Sequence, residues 1–502
     1  MTRARAAVSI VFAVLWLGGI ASFFAYDALP FMDLPAQAGL IALRERLGHS
    51  PFEDRFYVLD AHLGPYSLFR WLGGLLGRVF GPVQAVRILG AAGPSVMPFA
   101  LACAQRRAFG TVDTSVLFLG IALSYGLMTI FGFASYILAL ACFVVVLGEA
   151  LRWSNQEGAP SARDRASLAS GLLLLFVAHG HAYLLGLGAL AWLTARQRNT
   201  RLAALVSALP SLVLATYATV AAQNAGGPSA PHIEPHVHFL GPLDKLSLLV
   251  TPTLTTRLGV DIAAGLVVWG VLIAGFLASR RHSSNRLTVS KVNYLVVACA
   301  ALFLISPHDV GWFGFADGRI VLATALVIAA SSDPGALSAQ LHKWRLRLSI
   351  VAAALIVVCL HVASRGFQSE ASGYREALAH VAPARRLFYI PLDADSRWFT
   401  GHPFLHYDKF VLVAQPQVVS DLWFHQGTAV YPRAALPQVP MPSLQPGDRP
   451  LLERLRVDEW DYVLVKTASD ASLPQVPRGA RLAFSDNGWW LFTVEHSPTR
   501  TD

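Results

Sequence analysis

Long apolar stretches recur from Ala6 to Ser364, separated by short polar or basic connections. Runs of this length cross roughly 30 Å of hydrocarbon as helices. The pattern predicts spans near 6–26, 83–103, 112–131, 133–151, 166–178, 182–195, 202–221, 260–279, 292–306, 319–332 and 348–364. That makes about eleven crossings, with one long helix as the alternative for the two runs around His179. The first run is longer than the apolar part of a signal peptide and lacks a small-x-small cleavage site, so it reads as a retained span. Beyond Ser364 the pattern shortens to β-type runs, RRLFYIPL, KFVLVAQ, DYVLVK and WWLFTVEH, set between Pro and Gly turns such as QVPMPSLQPGDRP. Residues 1–364 therefore form a transmembrane domain, and residues 365–502 a soluble domain of mixed α and β structure.

Composition agrees. Of 502 residues, 54% are hydrophobic and 14% charged, against about 25% charged in soluble domains. The net charge of +9 does not point to nucleic acid, because the cations sit in clusters between apolar runs. Arg3/Arg5, Arg106/Arg107, Arg152/Arg163/Arg165, Arg196/Arg198/Arg201, Arg280/Arg281/Arg286/Lys291 and Lys343/Arg345/Arg347 all fall on one side of the predicted topology. The connections near Gly132, near Gly180 and from Pro307 to Gly318 carry no Lys or Arg and fall on the other. The positive-inside rule puts the N-terminus in the cytoplasm and, with an odd span count, the C-terminal domain outside. The expected location is a bacterial inner membrane with that domain in the periplasm. Cys103, Cys142, Cys299 and Cys359 lie in apolar runs without metal-ligand spacing and read as small buried hydrophobes.

The segment 27–82 interrupts the pattern between the first two spans. Asp33 and Pro35 open a helix with Ala36, Leu40, Leu43 and Leu47 on one side and Gln37, Arg44 and Glu45 on the other. This suits a helix lying in the interface, apolar side in lipid and polar side in water. A second such helix, YSLFRWLGGLLGRVFGP, has Leu68, Trp71, Leu72, Leu75 and Val79 on its apolar side. Gly73, Gly74 and Gly77 permit close helix contact, and Arg70 and Trp71 read as interface anchors.

The succession of a span, an acidic loop FMDLPAQAG and the stretch GPYSLFRWLGGLLGRVFGPVQAVRILGA resembles the opening of the C-superfamily (GT-C) glycosyltransferases. These polytopic enzymes use sugars carried on polyprenyl phosphate or diphosphate. The likeness is strongest over roughly the first 110 residues and architectural beyond them. Many relatives have paired acids, or an acid closely followed by His, where this chain reads Asp33-Leu34-Pro35-Ala36-Gln37, and Gly64-Pro65 stands where Pro-Pro is expected. No cofactor is assigned, and a divalent metal stays an open alternative. The resemblance implies a sugar transfer from a polyprenyl-linked donor to a hydroxyl of a glycan, lipid or protein. A solute or lipid transporter and a non-catalytic scaffold for envelope assembly are the alternatives.

Asp33 is the candidate general base, since a carboxylate partly removed from water has a raised pKa and accepts a hydroxyl proton more readily. The plain alternative is a helix N-cap. Asp60 and His62 in LDAHLGPY are candidates for substrate binding or for turn formation. His179 and His181 in VAHGHAYL stand where a helical hairpin turns, suited to neutralising a leaving group or to satisfying free carbonyls. In SPHDVGWFGFADGR, Arg319 has the geometry to grip a lipid phosphate, with Asp309, Trp312 and Asp317 nearby. There, an interface anchor capped by Asp317 is the alternative. The His232, Glu234, His236 and His238 of PHIEPHVH are superficially metal-like, but Pro231 and Pro235 keep the segment extended, and a flexible loop suits it better.

Overall fold

The computed structural model describes residues 3–59, 63–156, 158–224, 237–283, 286–311, 313–420, 422, 430–433, 457–471 and 479–495. Asp60, His62, Trp312, the PHIEPH part of the histidine-rich loop and the QVPMPSLQPGDRP stretch lie outside the described residues.

The chain begins with α1 (Arg3–Ala21), α2 (Leu34–Arg46), α3 (Pro51–Asp54), β1 (Tyr57–Leu59) and α4 (Ser67–Phe80). The bundle continues through α5 (Pro82–Phe109), α6 (Ser115–Ser124), α7 (Leu127–Ile130), α8 (Ala134–Asn155), α9 (Ala162–Ala178), α10 (Gly180–Thr194) and α11 (Arg198–Asn224). After β2 (Val237–His238) and α12 (Pro242–Ser247) come α13 (Val260–His282), α14 (Arg286–Ile305), β3 (Asp309–Val310), α15 (Ala316–Ser331) and α16 (Ala339–Ala379). The C-terminal domain holds β4 (Arg385–Pro391), α17 (Val411–Ala414), β5 (Gln417–Val419), β6 (Val430–Pro432), β7 (Tyr462–Lys466), β8 (Ala480–Asp486) and β9 (Trp489–Val494).

Helices stand over the predicted apolar runs, and among the described residues five are long and apolar enough to cross a membrane: α5, α8, α11, α13 and α16. The expected span 112–131 is not one helix. It breaks at Gly126 because the loop Thr251–Thr256 packs into it. A Cβ on Gly126 would lie 2.1 Å from the Pro252 carbonyl oxygen, and Leu127 N donates to Thr251 O at 2.9 Å. The runs around His179 are likewise two helices, separated by its extended backbone (φ −165°, ψ 122°).

The helix α16 runs for 41 residues, unbroken past the compositional change at Ser364. That change marks a shift in surroundings rather than a helix end. The outer third of α16 packs Tyr374 and Glu370 against the C-terminal domain, whose sheet has the order β5-β4-β7-β9-β8. The strand β4 is parallel to β5 and β7, and β9 is antiparallel to β7 and β8. Three of the four expected β runs are strands. KFVLVAQ instead forms a 3-10 turn (Tyr407–Phe410) leading into α17, docked against α2.

The helix α2 is the main departure from expectation. Every residue from Leu34 to Leu43 except Gln37 is buried, so this helix is a strut under the C-terminal domain and does not lie on the lipid surface. Its sequence explains this: only Gln37 is polar within LPAQAGLIAL, so no side is suited to water. At Gly39 the Lys409 carbonyl oxygen comes within 2.7 Å of where a Cβ would stand. Burial of Leu34, Leu40, Ile41 and Leu43 contributes roughly 1.5–3 kcal/mol each. The helix α4 does keep an outward apolar face, with Trp71, Leu75, Val79 and Phe80 exposed. Its Gly73 and Gly77 lie against Ile41 of α2, as close-contact glycines should, while Gly74 touches nothing within 4 Å. The first connection and the C-terminal domain are stitched together by antiparallel pairing of β1 with β6, by Arg433 N to Phe56 O at 2.7 Å and by Val419 N to Tyr57 Oη at 3.1 Å.

At the Arg-rich end of the bundle, Arg345 of α16 is fully buried beside Asp113, 2.8 Å apart. Asp113 also accepts from Ser115 N at 3.1 Å. Removing one member of a buried pair strands the other charge. Asp113→Ala should therefore cost about 3–5 kcal/mol and lower the thermal unfolding midpoint, while Asp113→Leu with Arg345→Met should regain most of the loss. If the double variant is no more stable than the single one, the pair is not what holds this end.

Candidate active site

Four connections meet at the opposite end of the bundle: the segment before α2, the turn between α7 and α8, the break at His179 and the start of α15. The last three are those without Lys or Arg near Gly132, Gly180 and 307–318. Together with α4 and the C-terminal domain they enclose a cavity of about 320 Å³, at the small end of ligand pockets. Leu40, Ile41, Phe69, Phe133 and Phe315 supply its apolar walls, and Asp33, Arg44, Arg70, His179, Arg319 and His406 its charged or titratable groups.

Asp33 occupies the N-cap position of α2, yet its side chain makes no capping hydrogen bond. It is 5% exposed, and among the described residues its Oδ1 has no hydrogen-bond partner. The main chain around it is clamped from below, with Met32 N donating to Ile130 O at 2.9 Å and Asp33 N to Phe131 O at 3.2 Å. Gly132, at φ +74°, sits so close that a Cβ would lie 2.9 Å from Asp33 Cβ. One turn along α2, Gln37 Nε2 donates to Gly132 O at 3.0 Å. Burial raises the Asp33 pKa well above that of an ordinary aspartate, and the charge of Arg319 offsets this only in part.

Arg319, in the first turn of α15, is the counterpart. It is 5% exposed, and among the described residues no carboxylate lies within ion-pair distance of it. Its guanidinium is held by ring faces, 4.2 Å from the centroids of Phe133 and Phe313 and 5.3 Å from that of Tyr136. Its Nε has no hydrogen-bond partner among the described residues. Such π-faces position a cation without neutralising it.

His179 faces it, Nε2 to Arg319 Nη1 at 3.2 Å. At the N-cap of α10, His179 Nδ1 accepts from His181 N at 3.2 Å. A neutral imidazole has one donor and one acceptor nitrogen, so an accepting Nδ1 assigns the proton to Nε2. Two donors then lie side by side, an arrangement that an anionic oxygen accepting from both would satisfy. His181 itself stacks on Tyr136 at 6.0 Å and does not line the cavity.

Asp317 is turned away from the cavity. Fully buried, it accepts from His308 Nδ1 at 2.8 Å and lies 3.8 Å from Lys245 Nζ. Lys245 in turn caps the end of α14 through Phe303 O and Leu304 O, both at 2.9 Å. Asp317 thus ties the loops together and, through Gly318 N donating to its Oδ1 at 2.8 Å, the first turn of α15 as well, but it does not pair with Arg319. Asp309 pairs instead with His238, at 3.3 Å.

Sequence reasoning missed four cavity residues. Gln37 and Arg44 were expected to face water, and Arg70 to anchor at the interface. All three turn inward because α2 and α4 pack face to face. Arg44 Nη1 donates to Arg70 O at 3.0 Å, and Arg70 Nη2 to Ser67 Oγ at 2.7 Å. Burial, with Arg44 beside it, lowers Arg70 to about 10, still protonated at neutral pH. The fourth, His406, comes from the C-terminal domain and puts Nε2 3.8 Å from Asp33 Oδ1. Burial holds it well below the ordinary histidine value, and Lys409 adds to this. Only the docking of Tyr407–Phe410 on α2 brings it there, and no local signal marks it.

Two aromatic residues beside the cavity carry left-handed backbones, Tyr66 (φ 69°) and Phe315 (φ 57°). Bulky side chains avoid this region, and such strain concentrates at functional sites. Tyr66 thereby sets its ring edge-on to His179, centroids 4.8 Å apart. Among the described residues no group of three or more His, Cys, Asp or Glu could hold a metal ion.

No protein-family model matches this chain, and no curated protein matches its sequence. Among solved structures it is similar to ArnT from Cupriavidus metallidurans bound to undecaprenyl phosphate, at 14% identity and a TM-score of 0.56, over 97% of this chain and 98% of that one. It is also similar to the arabinofuranosyltransferase AftD from Mycobacteria, at 17% identity and a TM-score of 0.55. That match covers 98% of this chain but only 40% of the length of AftD. This chain shares the fold of these two structures, the GT-C fold.

Proposed function

We propose that the chain is an inverting membrane glycosyltransferase that moves a sugar from a polyprenyl-phosphate-linked donor to an acceptor hydroxyl. The observation that carries this reading is the buried guanidinium of Arg319, without a carboxylate partner among the described residues, facing the same cavity as the buried carboxylate of Asp33. The bound undecaprenyl phosphate of the structurally similar ArnT supports a lipid phosphate as the missing anion. The apolar face of α4 beside the cavity suits approach from the bilayer.

In the proposed reaction Asp33 takes the proton of the acceptor hydroxyl as that oxygen attacks the anomeric carbon from the side opposite the phosphate. The bond from the anomeric carbon to the phosphate oxygen breaks, and its electron pair leaves on polyprenyl phosphate. Arg319 and the Nε2–H of His179 meet the charge developing there, with Arg44 and Arg70 adding positive potential. Fixed donors in a dry site supply most of the rate gain in such reactions. Lys- and Arg-rich connections lie at the end of the bundle away from the cavity, so the positive-inside rule turns the cavity and the C-terminal domain to the periplasm of a bacterial inner membrane.

Three outcomes test this. With labelled polyprenyl-phosphate sugars in nanodiscs, Asp33→Asn should lose transfer by about 10²–10⁴-fold yet still bind polyprenyl phosphate, and wild-type transfer should rise with pH through a midpoint above the usual carboxylate range. Transfer unchanged in Asp33→Asn rules out this base. Arg319→Gln should weaken polyprenyl phosphate binding by about tenfold or more, whereas equal affinity would remove Arg319 as the phosphate ligand. The third outcome concerns stability. A carboxyl whose pKa is raised by folding stabilises the folded state while protonated, and this is lost as pH rises through the folded value. Asp33→Asn should therefore unfold at a higher temperature than wild type at pH ~8, with the difference closing as pH falls toward ~4. A variant less stable than wild type at both pH values would contradict the raised value.

A further inference from the structure

In the C-terminal sheet β5, β4 and β7 run parallel. Loops leaving neighbouring parallel strands diverge at their carboxyl ends, and ligands of open sheets bind in the crevice so formed. Here β4 ends at Pro391 and β7 at Lys466. The segments that follow them, with Glu370 of α16 and Arg257 from the loop before α13, enclose a polar cavity of about 180 Å³. It shares no lining residue with the cavity of Asp33.

Its central group is Lys466, which is 3% exposed. The amine lies over the rings of Phe404 at 4.9 Å and Trp489 at 5.4 Å and donates one hydrogen bond, to Thr467 O at 2.5 Å. An ammonium has three donors, and among the described residues no carboxylate lies within ion-pair distance of this one. Burial lowers it to about 8, against the pull of Asp393 and Glu370, so it stays mostly protonated at neutral pH.

The carboxylates around it are fixed in advance. Glu370 accepts from Ser396 Oγ at 2.6 Å and Arg397 N at 2.9 Å. Asp395 holds Arg257 at 2.9 Å and His402 at 2.6 Å, and Asp393 accepts from Asp395 N at 3.0 Å. Each keeps lone pairs to spare. Lys466, Arg257 and Arg397 balance Glu370, Asp393 and Asp395 in formal charge, so the lining does not select a net anion. It offers donors and acceptors side by side over the apolar ring of Phe404. The volume is below the roughly 300 Å³ of pockets for drug-sized ligands and fits about one ring.

We propose that this crevice is a second ligand site, taking one hydroxyl-rich ring, a sugar unit, between Lys466 and the carboxylates of Asp393 and Glu370. With Arg257 on one side and the sheet loops on the other, an occupant touches both the helical bundle and the C-terminal domain. The site does not depend on the transfer reaction.

Saturation-transfer NMR on the full chain in nanodiscs tests this, with free glucose, galactose, mannose, arabinose, N-acetylglucosamine and glucuronate as probes and inorganic phosphate as a separate arm. At least one sugar should give a signal with wild type and also with Asp33→Asn, which leaves this crevice untouched. Lys466→Met and Asp393→Asn should each weaken binding about fivefold or more, the worth of about one hydrogen bond. If Lys466→Met does not fold by thermal unfolding, the exposed Arg257→Ala supplies the same comparison. No signal from any sugar, preference for phosphate over every sugar, or binding that survives the substitutions overturns the proposal. Retention in Asp33→Asn keeps its failure distinct from failure of the transferase reading.

Discussion

A buried charge without an ionic partner is among the most expensive things a protein can keep, and the cavity of this chain is built around two. Arg319 is held by aromatic faces, with the imidazole of His179 beside it and no carboxylate within ion-pair distance among the described residues. Asp33 is clamped by backbone contacts that leave its own oxygen unsatisfied. Had the two been placed in direct contact, each would have neutralised the other and the site would be inert. In the proposed reaction, keeping them apart across an apolar cavity makes the carboxylate the better base and leaves the guanidinium for an anion.

Holding that separation takes most of the surrounding structure. Gly132 allows the turn between α7 and α8 to press against Asp33. Left-handed Tyr66 and Phe315 aim rings into the cavity at some conformational cost. The helix α2, which carries Asp33, is wedged between α4, α5 and the C-terminal domain, and β1 with β6 locks that domain over the site. The C-terminal domain is thus part of the cavity wall, through His406.

The apolar periodicity put helices over its runs, because lipid imposes a long, simple pattern, but it did not foresee the break of 112–131 at Gly126. Connections lacking Lys and Arg share a side, which brought His179 and Arg319 to one end, while Asp33 joins them from the longer segment 27–82, which does carry Arg. The pattern failed where burial depends on contacts distant in sequence. The few polar residues of α2 read as a water face, yet they point into a cavity that exists only once α4 and Tyr407–Phe410 have docked. Arg70 was misread for the same reason. KFVLVAQ has strand-like composition but packs as a helical turn, its apolar side chains being needed against α2 rather than in a sheet. Asp317 read as a site residue near Arg319 or as a helix cap, from proximity in sequence. On a helix, however, residues two apart point to different sides, and His308 and Lys245 claim it.

The central claim is that Asp33 and Arg319 sense one another across a cavity that a lipid phosphate fills. The carboxyl stretching band of Asp33, assigned by its loss in Asp33→Asn and followed by infrared spectroscopy from pH ~4 to ~9, reads this directly. The account predicts titration well above the ~3.9 of a free aspartate, moving higher when polyprenyl phosphate is added, because the phosphate cancels the pull of Arg319. Titration near ~3.9, or a midpoint indifferent to the lipid, would contradict it.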